Sequence, residues 1–153
     1  MPITVFIQNV AGSTTKHRHD EKMLELQSTE QVSRAYPFPY GFVIDTAADD
    51  GLNVDCFVIT ERRLRSGQIV ECEPIGLMEQ IDAGAEDHNV IARLPDEHVE
   101  ITSELQDTLI EFARGVFEHV PDKPIEVGRF LDAEAALEHI RFHAEDVPGR
   151  QEP

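Results

Sequence analysis

The sequence predicts an α+β domain that is mainly β, with short strands closing a small barrel and two C-terminal helices packed outside it. Three observations carry this reading. Short apolar and β-branched runs bounded by Gly, Pro and Asp turns occupy the chain up to about residue 95. The hydrophobic period then turns helical. Strands first and helices last segregate the two classes along one chain, and 153 residues suffice for one ordinary core.

Each element follows in order. Residues 3–9, "ITVFIQN", form a first strand rich in β-branched residues. "AGSTTKHRHDEKMLELQ" is a turn followed by a second strand or a hairpin. "AYPFPYGFVIDT" carries two prolines and a glycine, which predicts an edge or bulged strand. "VDCFVIT" (54–60) is a buried strand. "SGQIVECEPIGLMEQI" (66–81) is a turn and a strand broken at Pro74, and "NVIARLP" (89–95) is a further strand. Residues 102–119 place Leu105, Leu109, Ile110, Phe112, Ala113, Val116 and Phe117 on one helical face, with Ser103 and Gln106 as a capping box. "VPDKP" ends that helix. Residues 132–146 form the second helix, with Asp132 as N-cap and Ala133, Ala136, Leu137 and Ile140 facing inward. The domain is expected over 1–147, with a disordered tail at 148–153. An OB-like barrel is the natural candidate for this order of elements.

Charge and cysteines narrow the function classes. Asp and Glu outnumber Lys and Arg by 30 to 13, a net charge of −17. Such a surface repels phosphate backbones, so nucleic acid is not an expected partner. Tyr36, Phe38, Tyr40 and Phe42 alternate as a base-stacking platform would, but the acidic balance opposes that use. Cys56 and Cys72 lie inside apolar runs and are expected as buried thiols in a reducing compartment. The start "MPITVFIQNVAG" lacks the basic region of a signal peptide, and no apolar run approaches the ~20 residues of a membrane helix. A cytoplasmic protein without membrane contact is expected.

The candidate chemistry lies in two acidic turns. Asp50 and Asp55 flank the turn before "CFVIT", and Asp82 and Asp87 bracket "DAGAED" before "NVIA". Two acid-bearing turns that each feed a strand can converge at one barrel mouth. Convergent carboxylates suit a hard cation such as Mg²⁺, which completes its shell with water and substrate phosphate. Solvated turn acids give the same pattern, because Asp and Gly favour turns for backbone reasons.

The segments "YPFPYGFVIDTAADDGLNVDCFVIT", "PIGLMEQIDAGAEDHNVIA", "EFARGVFEHV" and "GRFLDAEAALEHI" together resemble the soluble, Mg²⁺-dependent inorganic pyrophosphatases of the barrel type, collinearly over about residues 5–145. The resemblance implies a five-stranded OB-like barrel with flanking helices, a cytoplasmic homo-oligomer (trimer or hexamer), and hydrolysis of diphosphate to two phosphates with Mg²⁺, or Mn²⁺ or Zn²⁺ in its place. It implies metal ligation by Asp50, Asp55, Asp82 and Asp87. Catalytic roles fall to Asp50, Asp55 and Tyr40, and Tyr36 matches the tyrosine that starts the same strand. Lys16 falls where a phosphate-binding lysine is expected, and Arg34 is a substitute cation near Tyr36.

The departures from the family pattern are several. The middle aspartate of the signature turn is Leu52. An expected arginine is Ser28, an expected lysine is Asn89, and an expected Tyr-Lys pair is Val120-Pro121. Two acids of the N-terminal strands appear as Gln8 and Arg18. A charge-assisted hydrogen bond contributes about 1.5–3 kcal/mol, and loss of a positioned base typically removes about 10²–10⁴ in rate. The resemblance therefore implies weak hydrolysis or a retuned phosphate substrate. The alternative is a non-catalytic relative that binds metal or phosphate ligands, or an assembly subunit.

Lys16 and Arg18 share one face of their strand and His17 and His19 the other, and this cluster offers replacement phosphate contacts. His88 follows Asp87 as a possible proton donor or ligand. His139 and His143 form an i, i+4 pair that can bind zinc, although "HIRFH" lacks the acid of H-E-x-x-H.

Overall fold

The computed structural model describes residues 2–46 and 53–144. Asp50, Leu52 and the tail 148–153 lie outside the described residues. Five strands close into a ring. β1 (Ile3–Asn9) pairs with the fourth strand, β4 (Tyr40–Val43), and β4 with β5 (Asp55–Val58). β5 runs parallel to β8 (Asn89–Arg93), β8 pairs with β6 (Ile69–Asp82), and β6 returns to β1 through Ile3↔Cys72 to Phe6↔Ile69. Outside the ring, β2 (Thr15–Asp20) and β3 (Glu25–Gln31) form a separate hairpin, and β7 (Ala85–Glu86) and β9 (Ile125–Asp132) pair with the far end of β6. The helices are α1 (Ser103–Gly115) and α2 (Ala133–Phe142).

Alternation along the ring strands fills two cores. Val5, Ile7, Val43, Cys56, Val58, Cys72, Leu77, Val90 and Ala92 come from all five strands and fill the interior, where Ala136 of α2 joins them. The alternate residues Phe57, Met78 and Ile91 face outward and are covered by Leu105, Leu109 and Phe112 of α1. The ring strands are thus apolar on both faces, which explains their nearly continuous hydrophobic runs. Both cysteines are free and buried, and burial pushes both thiols up, Cys72 to about 12.

Several element boundaries differ from expectation for identifiable reasons. β4 lies between β1 and β5, not at an edge, because Pro37 and Pro39 precede it and remove no ladder hydrogen bond from its interior. Gly41 makes this packing possible: a Cβ there would sit 1.7 Å from the Phe6 carbonyl oxygen. Pro74 does not break β6. A register shift between Pro74 and Gly76 absorbs it, and the strand runs on for 14 residues. The N-cap of α1 is Thr102, whose hydroxyl accepts the Leu105 N–H at 3.2 Å, not Ser103. α1 ends at Gly115 and α2 at Phe142, both short of the expected ends. Asp132 caps α2 as expected and accepts the Ala135 N–H at 3.0 Å. β9 was not expected at all.

Candidate active site

The parallel pairing of β5 with β8 places Asp55 opposite Asn89, so Asp87 emerges beside Asp55 at the same end of the ring. Asp82 closes β6 across a two-residue turn from Ala85. Ala83 and Gly84 in that turn both have positive φ, 49° and 87°, as a type I′ hairpin requires. Asp55, Asp82 and Asp87 all line one cavity of about 570 Å³. The chain on either side of residues 47–52 is held by the β2–β3 turn. Lys22 Nζ donates to the Thr46 carbonyl (3.0 Å) and to Asn53 Oδ1 (2.8 Å), and the Asn53 N–H donates to Glu21 Oε1 (2.7 Å). These bonds fix where β5, and with it Asp55, begins.

Asp55 and Asp87 lie close enough for their carboxyl groups to interact directly. Two carboxylates this close repel each other when both are ionised, which favours a proton or a cation between them. Burial first, and then the Asp87 charge, push the Asp55 carboxyl well above its ordinary range, while Lys16 opposes them. The Tyr40 hydroxyl donates to Asp55, and burial with both aspartates drives its own pKa up. Among the described residues, the cavity holds the five acids Glu21, Asp55, Asp82, Glu86 and Asp87 against three cations, Lys16, Arg18 and Lys123. Carboxylate oxygens with surplus negative charge fit a hard divalent cation, which would relieve their mutual repulsion.

Lys16 is half-buried, and desolvation lowers its pKa against the pull of Asp55. Its ammonium lies 5.1 Å from the Phe117 ring centroid and 5.8 Å from that of Tyr40. Simple alternation separates Arg18 from His19, but a register shift between them brings both to the cavity. Arg18 pairs across the hairpin with Ser28, so its guanidinium starts from the face where an arginine at 28 would stand. It donates to Glu30 through Nε at 3.0 Å.

Lys123 was missed by sequence reasoning. It sits in "VPDKP", a segment read only as a helix terminator, two residues past Pro121. Its ammonium donates to both Asp82 oxygens (3.1 and 3.0 Å) and lies 4.7 Å from the Phe117 ring centroid. Asn89 is buried; its amide donates to Gln80 Oε1 at 3.0 Å, while its Oδ1 has no hydrogen-bond partner among the described residues.

Other candidates fall elsewhere. Arg34 does not line the cavity: its guanidinium packs over Gly115 and pairs with Glu118 at 2.8 Å. His88 also lies off the cavity, with Nδ1 accepting the Gln80 N–H at 3.0 Å. Tyr36 and Phe42 are buried in the cores and offer no stacking platform.

The comparisons agree with this geometry. A sequence model of the family described as "Inorganic pyrophosphatase" matches residues 5–147. An inorganic pyrophosphatase of Synechocystis is 32% identical, with 88% of this chain and 85% of the relative covered. One of Nanoarchaeum equitans is 30% identical over 92% of this chain and 94% of its own length. A crystal structure described as an inorganic phosphatase from Anaplasma phagocytophilum superposes with a TM-score of 0.84 at 28% identity, covering 93% of this chain and 91% of that one. An inorganic pyrophosphatase from Coxiella burnetii gives 0.84 at 26% identity, over 93% and 92% of the two chains. With the ring of five strands, the capping helices and the acid-lined mouth in place, the chain belongs to the inorganic pyrophosphatase family.

Proposed function

We propose that this protein hydrolyses diphosphate to two phosphates with a divalent cation, Mg²⁺ in the first instance, more slowly than the family pattern implies. The observation that carries this reading is the Asp55–Asp87 pair, two carboxylates brought together by the β5–β8 pairing in a cavity that also holds Lys16, Arg18 and Lys123. Asp55, Asp82 and Asp87 would hold the cation, and Asp50, outside the described residues, completes the expected set. A bound cation of this class supplies Lewis-acid polarisation of phosphate and acidifies water. Lys16, Arg18 and Lys123 bind the anionic substrate and stabilise charge that develops on the leaving phosphate. Tyr40 donates a hydrogen bond and holds Asp55 in place.

Arg18 and Lys123 bear on the departures. Arg18 offers the guanidinium missing at Ser28 from the paired strand, and Lys123 offers the ammonium missing at Pro121 from the following turn. Leu52 has no such substitute among the described residues, which is why a reduced rate is expected. A homo-oligomer, trimer or hexamer, belongs to this reading. Phe142, Met23, Leu26 and Ile69 are large, exposed and apolar, and light scattering measures the mass in solution. The free buried thiols suit a cytoplasmic setting.

The test is phosphate release from diphosphate with Mg²⁺, Mn²⁺ or Zn²⁺, with Asp55→Ala as the blank. Turnover no greater than the blank rejects hydrolysis. Mg²⁺-dependent binding of diphosphate in a calorimeter without turnover would instead favour a ligand-binding relative, the reading that Leu52 and Asn89 support.

A further inference from the structure

The last helix carries a second group of metal-ligand atoms. His139 and His143 stand one turn apart on α2, with ring centroids 4.5 Å apart at 64°. Glu86 rises beside them from β7, more than fifty residues earlier in the chain, because both α2 and β7 pack against β6. One ligand atom from each of Glu86, His139 and His143 lies within 4.8 Å of the other two.

We propose that Glu86, His139 and His143 form a site for a borderline divalent transition-metal ion of the Zn²⁺ class, adjoining the carboxylate cavity that Glu86 also lines and independent of whether the protein hydrolyses diphosphate. Two imidazoles and one carboxylate suit Zn²⁺ or Co²⁺, whereas Mg²⁺ prefers oxygen throughout. Tetrahedral zinc bonds of about 2.0–2.1 Å set donor atoms roughly 3.3 Å apart, so these three must draw together by at most about 1.5 Å. Glu86 is exposed and has room to move, while His143 is buried and fixes the site.

Two further features favour a cation here. His88 Nδ1 accepts the Gln80 N–H, so the neutral ring carries its proton on Nε2, which faces Glu86 Oε1 at 3.3 Å. That contact orients the Glu86 carboxylate from outside the site, as partners of metal-binding carboxylates do. His143 is also the C-cap of α2, where the partial negative charge of the helix end attracts a cation. Three protein ligands leave a fourth position for water or an external ligand. Glu86 directly precedes Asp87, so a bound ion would tie α2 to the hairpin that carries two of the cavity aspartates.

The test uses the full chain with Mg²⁺ in millimolar excess, so that the hard site is filled. Wild type and His139→Gln are dialysed against Zn²⁺ and titrated with Co²⁺ followed by visible absorption. His143 is buried, so its replacement risks the fold, and the half-exposed His139 carries the test; metal-free melting curves confirm that the variant is folded. The expected result is one more tightly bound Zn²⁺ per wild-type chain, a Co²⁺ spectrum of tetrahedral intensity, and affinity weakened more than about 10-fold in His139→Gln and in Glu86→Gln. Equal Zn²⁺ uptake by wild type and His139→Gln, or a Co²⁺ spectrum that the substitution leaves unchanged, overturns the proposal. Neither readout uses phosphate release, so loss of hydrolysis leaves the result interpretable.

Discussion

Asp55 concentrates the electrostatics of the cavity in one side chain. It is half-buried, close to Asp87 and Tyr40, and within the field of Lys16. Asp55→Asn should lower Mg²⁺-dependent turnover by at least about 10² and abolish the rise in melting temperature that Mg²⁺ gives the wild type. Steady-state assays and melting curves with and without Mg²⁺ check both. Arg18 and Arg34 make a matched pair. Arg18→Gln should cost about 10–100-fold in kcat/KM, the equivalent of one charge-assisted hydrogen bond. Arg34→Gln should change it by less than about twofold, because that guanidinium serves Glu118; an equal loss in both would refute the assignment. Leu52→Asp should raise turnover if the remaining ligands are already arranged for catalysis. The convergence of Asp55, Asp82 and Asp87 on one cavity was legible in the sequence because aspartates where strands meet turns occupy fixed positions; Asp50 lies outside the described residues. Arg18 was legible as part of a replacement cluster, but its place opposite Ser28 came only from the hairpin register, and Lys123 was not legible because it acts from a turn that a linear reading treats as punctuation.

At the scale of elements, the close approach of β4 to β1 sets the tightest constraint. Gly41→Ala would drive a methyl group into the Phe6 carbonyl, and should destabilise by on the order of 3 kcal/mol or more, read from urea unfolding. The glycine of the "YG" pair is therefore required by strand packing, while Tyr40 beside it serves the cavity. β9 is tied to β6 by Arg129, which donates to Glu79 through Nε (2.8 Å) and Nη2 (3.1 Å). That side chain and the Arg129 N–H hold the Glu79 carboxyl at about 2, below its ordinary 4.5. The folded state thus favours ionised Glu79. Its contribution is present above the ordinary pKa and is lost as pH falls from about 4.5 toward about 2. The wild type should lose melting temperature more steeply than Arg129→Leu across that window; parallel curves would exclude the pair as a pH-dependent brace. β9 escaped the sequence reading because its alternation is interrupted at Gly128 and Arg129, where the pairing with β6 shifts register.

For the whole molecule, the net charge of −17 opposes compaction and repels polyanions. Raising NaCl shortens the screening length from about 10 Å at 0.1 M to about 3 Å at 1 M and should raise the melting temperature in Mg²⁺-free buffer. A flat response would show that the charge is already balanced locally. Among the described residues no helix is long and apolar enough to cross a membrane. The sequence by itself determined the mainly β architecture, the α2 cap, the buried thiols and the family, because hydrophobic period and turn chemistry are local and the motif spacing is linear. Only the tertiary structure decided which charges meet. The parallel β5–β8 pairing brings Asp55 to Asp87, a bulge turns His19 toward Arg18, and the packing of α2 and β7 on β6 sets Glu86 beside His139 and His143. Each of these depends on register between distant segments, and a shift of one residue would send the same side chains to the opposite face.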